Sequence, residues 1–285
     1  MIFRYNIEEN ISVKDYLIKV KIPSNVITSL KSTNGQILVN DQSVTMVYMM
    51  KPNDLLEVVF PSSTQGDNIK SVRGKLDILY EDSYILILNK PNNLATIPTR
   101  KHYNNSLANY VMSYYLQKGI EANIHFVSRL DSPTSGIIVL AKNSYMLTLL
   151  QQTTITKRYL LEVNGIMEND QGIIELGIEK DPNSIIKRKI TNEYINSKTI
   201  YNVVERKEKT SIIDALLCTG KTHQLRLHFS SLGYPILGDL LYDEENNKED
   251  EILRLHSYYL SFIHPITKEE INIINYPSWY KKAPN

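Results

Sequence analysis

The chain predicts an α+β fold built on a largely antiparallel mixed sheet, preceded by a small α/β module. Three observations carry this. From about residue 75 onward, apolar runs of strand character alternate irregularly with short helical segments, a pattern of α+β architecture rather than of repeating βαβ units. A polar, aperiodic stretch, residues 62–74, precedes that region and reads as a linker. Residues 1–61 carry their own complete set of helix, turn and strand signals.

In the first module the run Ile11–Leu17 starts a helix at Ser12, a second short helix covers Asn25 to Ser32, Gly35–Asn40 turns into a strand, and Lys51–Phe60 closes the unit. Beyond the linker, Leu76–Tyr80 and Tyr84–Asn89 read as paired strands around Glu81-Asp82-Ser83. Helices are expected over Ser106 to Leu116, Asn143 to Gln152 and Thr222 to Leu232. Strands are expected over Ile137 to Ala141, Arg158 to Val163, Ile173 to Leu176, Ser197 to Val204 and Ser211 to Leu217. These assignments rest on period and on turn residues.

A chain of 285 residues with 42% hydrophobic content can bury a full core. Its single cysteine, Cys218, cannot form an internal disulfide, and its place in an apolar strand predicts a buried structural thiol. The N-terminus carries Glu8 and Glu9 where a signal peptide needs an apolar region, and no run approaches the length of a membrane helix. A soluble, cytoplasmic protein without membrane contact is therefore expected.

Two blocks carry the chemistry. Ser128-Arg129-Leu130-Asp131-Ser132-Pro133-Thr134-Ser135-Gly136 places one carboxylate in a turn just ahead of a buried strand. An aspartate there is costly unless it is paired or held for a purpose, although Asp beside Ser, Pro and Gly is also a common turn former. The second block, Thr219-Gly220-Lys221-Thr222-His223-Gln224-Leu225-Arg226-Leu227-His228, follows an apolar strand and opens a helix, with Thr222 as N-cap and Gly233 as its stop. Arg226 then lies in the first helical turn, where free backbone donors and the helix dipole favour a neighbouring carboxylate or phosphate.

At these residues the chain resembles the RNA pseudouridine synthases of the RluA and RluD type, whose signatures run KPxGL, HRLDxxTSG, KxY, and TGRTHQIRxH followed by GxPIxGDxxY. Here they read Lys90-Pro91-Asn92-Asn93-Leu94, the Asp131 block, Lys157-Arg158-Tyr159, the Arg226 block, and Gly233 to Tyr242 with Asp239. Arg254-Leu255-His256, Leu260 and His264-Pro265 match the closing pattern, so the resemblance spans roughly residues 75 to 277. Three positions depart: Ser128 for His, Asn93 for Gly and Lys221 for Arg, the last keeping the charge but losing the planar fork. The resemblance implies a catalytic domain over residues 75–285. Residues 1–61 are more loosely similar to the RNA-binding module of ribosomal protein S4, with Lys14, Lys19, Lys21 and Lys31 against Asp15 giving +3 for phosphate contact.

The implied reaction breaks the bond from ribose to N1 of uridine, turns the uracil and rejoins the sugar to C5, with no cofactor and no metal. The resemblance assigns Asp131 as the essential carboxylate, adding to sugar or base or removing a ribose proton. Arg226 is its natural partner, holding it ionised through charge-assisted hydrogen bonds. Tyr159 is assigned to stack on the target base and to share in proton transfer, against the plain alternative of a core aromatic. Arg129 fills the gap left by the flipped uridine. Leu225 forms the apolar wall beneath the base, and Lys221, His223 and Gln224 join the substrate contacts.

Net charge is +1, but Asp243–Glu251 alone carries −5, leaving +6 on the remainder; a solvated loop facing away from RNA accounts for it. Gly220-Lys221-Thr222 imitates the end of a P-loop, yet Ala215 stands where that motif needs glycine. His223 and His228 lack the further ligands of a metal set. The expected partner is RNA, with large-subunit rRNA favoured and tRNA the alternative, and the expected state is a monomer. A non-catalytic RNA-binding ribosome-assembly factor that keeps the fold is the competing class.

Overall fold

The computed structural model describes residues 2–20, 22, 27, 35–59, 69–99, 102–120, 122–243 and 252–281. Its elements in chain order are β1 (Ile2–Asn6), β2 (Ile11–Ser12), α1 (Val13–Lys19), β3 (Gln36–Val39), β4 (Gln42–Ser43), β5 (Met49–Met50) and β6 (Leu55–Val59). There follow β7 (Asp77–Glu81), β8 (Ile85–Lys90), α2 (Leu107–Lys118), β9 (His125–Phe126), β10 (Ser135–Ala141), α3 (Ser144–Gln152), β11 (Thr156–Asn164) and β12 (Gln171–Lys180). The chain continues through β13 (Arg188–Thr191), β14 (Ser197–Arg206), β15 (Thr210–Leu217), α4 (Gln224–Ser231), β16 (Leu255–Ile263) and β17 (Glu270–Ile274).

The N-terminal residues form a four-stranded sheet in the order β1-β6-β3-β4, with β2 and β5 pairing beside it. Ser12 caps α1 as its position predicts, its hydroxyl accepting from Asp15 N–H at 3.1 Å. Val13 and Leu17, four apart on one helix face, are fully buried with Phe3, Met50, Leu56 and Val58. This core meets the main body at Tyr145 of α3, whose ring packs edge-on against Phe3 at 4.9 Å and whose hydroxyl lies 3.2 Å from that of Tyr5. The second helix expected from Asn25 to Ser32 lies, apart from Ile27, outside the described residues.

The main body is one sheet in the order β13-β12-β14-β15-β11-β16-β10-β8-β7, with β17 on β16 and β9 on β10. Every pairing is antiparallel except β10 with β16. β10 is buried along its whole length, which explains its unbroken apolar run. α2 starts at Ser106 in a capping box with Asn109 and ends at Gly119 in the left-handed region, while Asn143 caps α3. Of the stretch expected as a linker, residues 69–74 lie against α2, with Asn109 Nδ2 donating to Lys70 O at 2.7 Å.

Two local expectations are corrected. Cys218 is exposed, because β15 ends at Leu217 and the thiol falls on the turn leaving the sheet. The last helix is capped by His223 rather than Thr222 and starts at Gln224; Gly233, at φ 82°, ends it as expected.

Candidate active site

The turn bearing Asp131 is held by its backbone. Thr134 N–H donates to Asp131 O at 3.1 Å to close it. Three of its carbonyls are bound from one short stretch: Leu130 O by Thr96 Oγ1 at 2.7 Å, Ser132 O by Lys90 Nζ at 3.0 Å and Pro133 O by Asn92 Nδ2 at 2.7 Å. Lys90 is fully buried and also donates to Pro91 O at 2.9 Å and Leu94 O at 2.8 Å. Burial pushes its ammonium down to about 7, with the charge of Asp131 acting in the opposite sense. Three carbonyl acceptors call for three N–H donors, so the geometry suits the protonated form. Asn93, standing where the resemblance has glycine, sits at φ 58°, and asparagine is among the side chains that best tolerate that region.

The sheet register then brings the motifs to one row. Gly136 pairs with Lys90 of β8 on one side and Ser257 of β16 on the other. Ser257 in turn pairs with Tyr159 of β11, and Tyr159 with Ala215 of β15. At Gly136, φ is 110° and an added Cβ would stand 2.3 Å from Ser257 O, so only glycine permits this approach. The register of β16 against β11 shifts between Arg158 and Tyr159, skipping Tyr258. That bulge sets which face Tyr159 occupies. On the other face it is pinned by Arg158, which pairs with Asp214, while Tyr258 Oη donates to the same carboxylate at 3.1 Å.

The resulting cleft, about 800 Å³, is lined by Asp131, Tyr159, Leu225 and Arg226, with Arg129, Lys221, His223 and Gln224 contributing as well. Asp131 keeps 31% of its side chain exposed toward it. Tyr159 is buried, and burial, reinforced by the Asp131 charge, pushes its hydroxyl up to about 12. It therefore stays protonated at neutral pH. Arg129 is exposed at the rim, as is Lys221, and Leu225 forms buried apolar wall.

Arg226 does not bond Asp131. Its Nε and Nη2 donate to Asp239 at 2.7 and 2.6 Å, a bidentate pair with both side chains essentially buried. Asp239 is completed by the N–H groups of Leu241 and Tyr242. Burial disfavours the guanidinium charge, but the Asp239 pair overrides it and raises the pKa, with Asp131 adding at longer range. Sequence order hid this, because Asp239 lies eight residues beyond the end of the helix it serves. The group within 4 Å of Asp131 among the described ion pairs is His223, with Nε2 3.7 Å from Oδ2.

Gln224 is also committed inward. Its oxygen accepts from Thr219 Oγ1 and Lys221 N–H, and its nitrogen donates to Lys198 O and Thr199 Oγ1, so the amide folds the 219–221 loop instead of facing substrate. Lys157 lines the cleft with its Nζ donating to Ser128 Oγ, and burial pushes that ammonium down to about 8. Lys14 and Lys19 belong to α1, away from this cleft, and Lys19 pairs with Glu9. Lys21 and Lys31 lie outside the described residues. Lys90, Asn92, Thr96, Asp239 and Tyr242 acquire site roles that the sequence reading did not assign. Four of these lie in the KPxGL and GDxxY stretches and were within reach of motif reasoning; Thr96 was not.

The profile of the family described as RNA pseudouridylate synthase matches residues 84–231, just over half of the chain. The chain belongs to the RNA pseudouridine synthase family. The synthase is 36% identical over 266 residues to an uncharacterised RNA pseudouridine synthase of Bacillus subtilis, covering 91% of this chain and 93% of the relative. It is 38% identical over 198 residues to the dual-specificity RNA pseudouridine synthase RluA of Vibrio cholerae, covering 67% and 78%. Among solved structures, the human RNA pseudouridylate synthase domain containing 1 shares the fold, with a TM-score of 0.60 at 23% identity over 76% of this chain and 88% of that one. The synthase is thus an enzyme that converts uridine in structured RNA to pseudouridine by an aspartate-dependent isomerisation. Among the described residues no group of three or more His, Cys, Asp or Glu could hold a metal ion.

Proposed function

We propose that Asp131 is the essential carboxylate, with Tyr159 against the target base and Arg226 as the buried cation behind it. The carrying observation is a turn whose carbonyls are bound from residues 90–96 while its carboxylate is left facing a cleft floored by Tyr159 and Leu225. A turn former needs no such bracing. In the reaction the N1–C1′ bond breaks, a C5–C1′ bond forms, the C5 proton leaves to solvent and N1 takes one up. Asp131 adds to sugar or base or removes a ribose proton, and each role uses the ionised carboxylate. Tyr159, held protonated, acts as a stacking surface and hydrogen-bond donor rather than as a phenolate base. Leu225 supports the flipped base, Arg129 fills the space it vacates, and Lys221 contacts the backbone from the rim.

The proposed target is large-subunit rRNA, with tRNA second, and the subtype is that of RluA and RluD. A relative from Nitrosomonas europaea is named for the ribosomal large subunit, while that of Vibrio cholerae is named for dual specificity. Residues 1–61 are proposed as an S4-like RNA-binding module joined by residues 62–74 to the catalytic domain, 75–285, in a monomeric, cytoplasmic enzyme. The test is Asp131→Asn, with pseudouridines mapped in RNA from cells with and without this protein. Product should fall by several orders of magnitude with RNA affinity retained; unchanged product would defeat the assignment.

A further inference from the structure

His223 is held in an unusual way. At φ 59° and ψ 20° it occupies the left-handed region at the N-cap of α4, yet its side chain makes no capping bond. A non-glycine residue there is strained and persists where surrounding structure demands it. What the conformation achieves is to aim the ring at the cleft. Nε2 comes within 3.7 Å of Asp131 Oδ2 while Nδ1 lies 2.7 Å from the Tyr242 hydroxyl.

That second contact sets the proton. Tyr242 Oη accepts from Arg188 N–H at 2.8 Å. With that acceptor position filled, the phenol directs its own O–H to Nδ1, and the ring proton of the neutral imidazole falls on Nε2, facing Asp131. Burial favours the neutral ring, as do the charges of Arg226 and Arg188, against Asp131 and Asp239; the net displacement is downward.

We propose that His223 is a positioning residue for Asp131: a neutral imidazole, its tautomer fixed by Tyr242, that donates Nε2–H to Oδ2 and leaves Oδ1 for the uridine. A neutral donor orients the carboxylate without blunting its reactivity as a full cation in contact would. The 3.7 Å gap fits a bond that tightens when substrate expels water. This inference rests on Asp131 as the essential carboxylate.

The experiment follows tritium released from C5 under single-turnover conditions, using total RNA from cells lacking this protein and grown on [5-³H]uracil. Such RNA contains the target uridine whichever molecule carries it. Four proteins are compared: the parent, Asp131→Asn, His223→Gly and His223→Gln. Glycine deletes the ring and suits φ 59°, so backbone strain does not confound the result; glutamine can place an amide N–H near the Nε2 position. Expected is a rate reduced about 100-fold in the glycine variant with RNA affinity within threefold, and at least tenfold recovery with glutamine. A glycine variant within threefold of the parent rate, a loss carried by RNA affinity, or glutamine no better than glycine would each overturn the proposal. An active Asp131→Asn protein would instead bring down the assignment of Asp131 beneath it.

Discussion

Replacing Asp239 by Asn tests whether Arg226 is held as a buried ion pair rather than by Asp131. The Asp239 side chain is fully buried, that of Arg226 is 3% exposed, and four donors converge on the carboxylate: two from the guanidinium and the N–H groups of Leu241 and Tyr242. Asparagine keeps one acceptor oxygen and must turn its NH₂ toward a donor, leaving a buried cation without a counter-charge. Breaking such a pair from one side costs roughly 3–5 kcal/mol. At about 2–4 °C per kcal/mol for a protein of this size, a melting temperature lower by about 10 °C is expected. Glu175→Gln provides the contrast, since Glu175 and Lys198 pair with side chains 47% and 40% exposed; its melting temperature should stay within about 2 °C of the parent's. The double variant Arg226→Met/Asp239→Leu should recover much of the lost stability, because well-packed apolar groups often replace a buried ion pair at little cost. Thermal melts followed by circular dichroism read all three. A drop below 2 °C for Asp239→Asn, or a double variant no more stable than Asp239→Asn, would refute the reasoning.

Lys90→Met removes the donors to Pro91 O, Leu94 O and Ser132 O and should cost about 3 kcal/mol at roughly 1 kcal/mol per bond. Loosening the Asp131 turn should also lower the single-turnover rate about 100-fold at a temperature where the variant is folded, with RNA affinity kept; a normal rate would show that the brace is dispensable. His228 and His256 are buried, and burial holds each near pKa about 4, although for His256 a bond to Asn275 O opposes it. An unfolded imidazole titrates near ~6.5, so between these values the unfolded chain binds the extra protons and stability falls as pH drops from ~6.5 toward 4, by at most about 3 kcal/mol per ring. Urea unfolding at pH 7 and pH 5 should show that loss, and His228→Gln/His256→Gln should flatten the dependence.

What the sequence made legible was whatever depends on neighbours along the chain. Ser12, Ser106 and Asn143 cap the helices they precede, and Gly233 takes the left-handed turn that follows the last of the expected helices. Asp131, Tyr159, Leu225 and Arg226 share one cleft, as their motifs imply. What failed depended on tertiary competition. Thr222 looks like the better cap, yet the left-handed His223 takes the position because its ring is held by Tyr242, nineteen positions further on. Arg226 looks like the partner of Asp131, but a second carboxylate with two backbone N–H groups already oriented makes a better-shaped acceptor. Cys218 reads as strand interior only if β15 continues one residue further than it does.

The row Lys90, Gly136, Ser257, Tyr159, Ala215 explains why these motifs are spread along the sequence yet act together. Each lies on a different strand, and adjacent strands stand about 4.8 Å apart, so Tyr159 is about 10 Å across the sheet from Gly136. The chain from Gly136 back to Asp131 leaves the sheet at the N-terminal end of β10 and can turn over the intervening strand toward Tyr159. Two irregularities make this work. The parallel start of β10 against β16 closes because Gly136 has no Cβ to meet Ser257 O, and the skipped Tyr258 sets Tyr159 in register with Ser257. A regular antiparallel ladder without the bulge would turn either Tyr159 or the residues of β16 beyond it to the opposite face, since side chains alternate with a period of two. Arg158, adjacent to Tyr159 and bonded to Asp214 behind the sheet, therefore belongs to the site without touching the cleft. Its place in the KxY signature is that of a clamp on the bulge that aims the tyrosine.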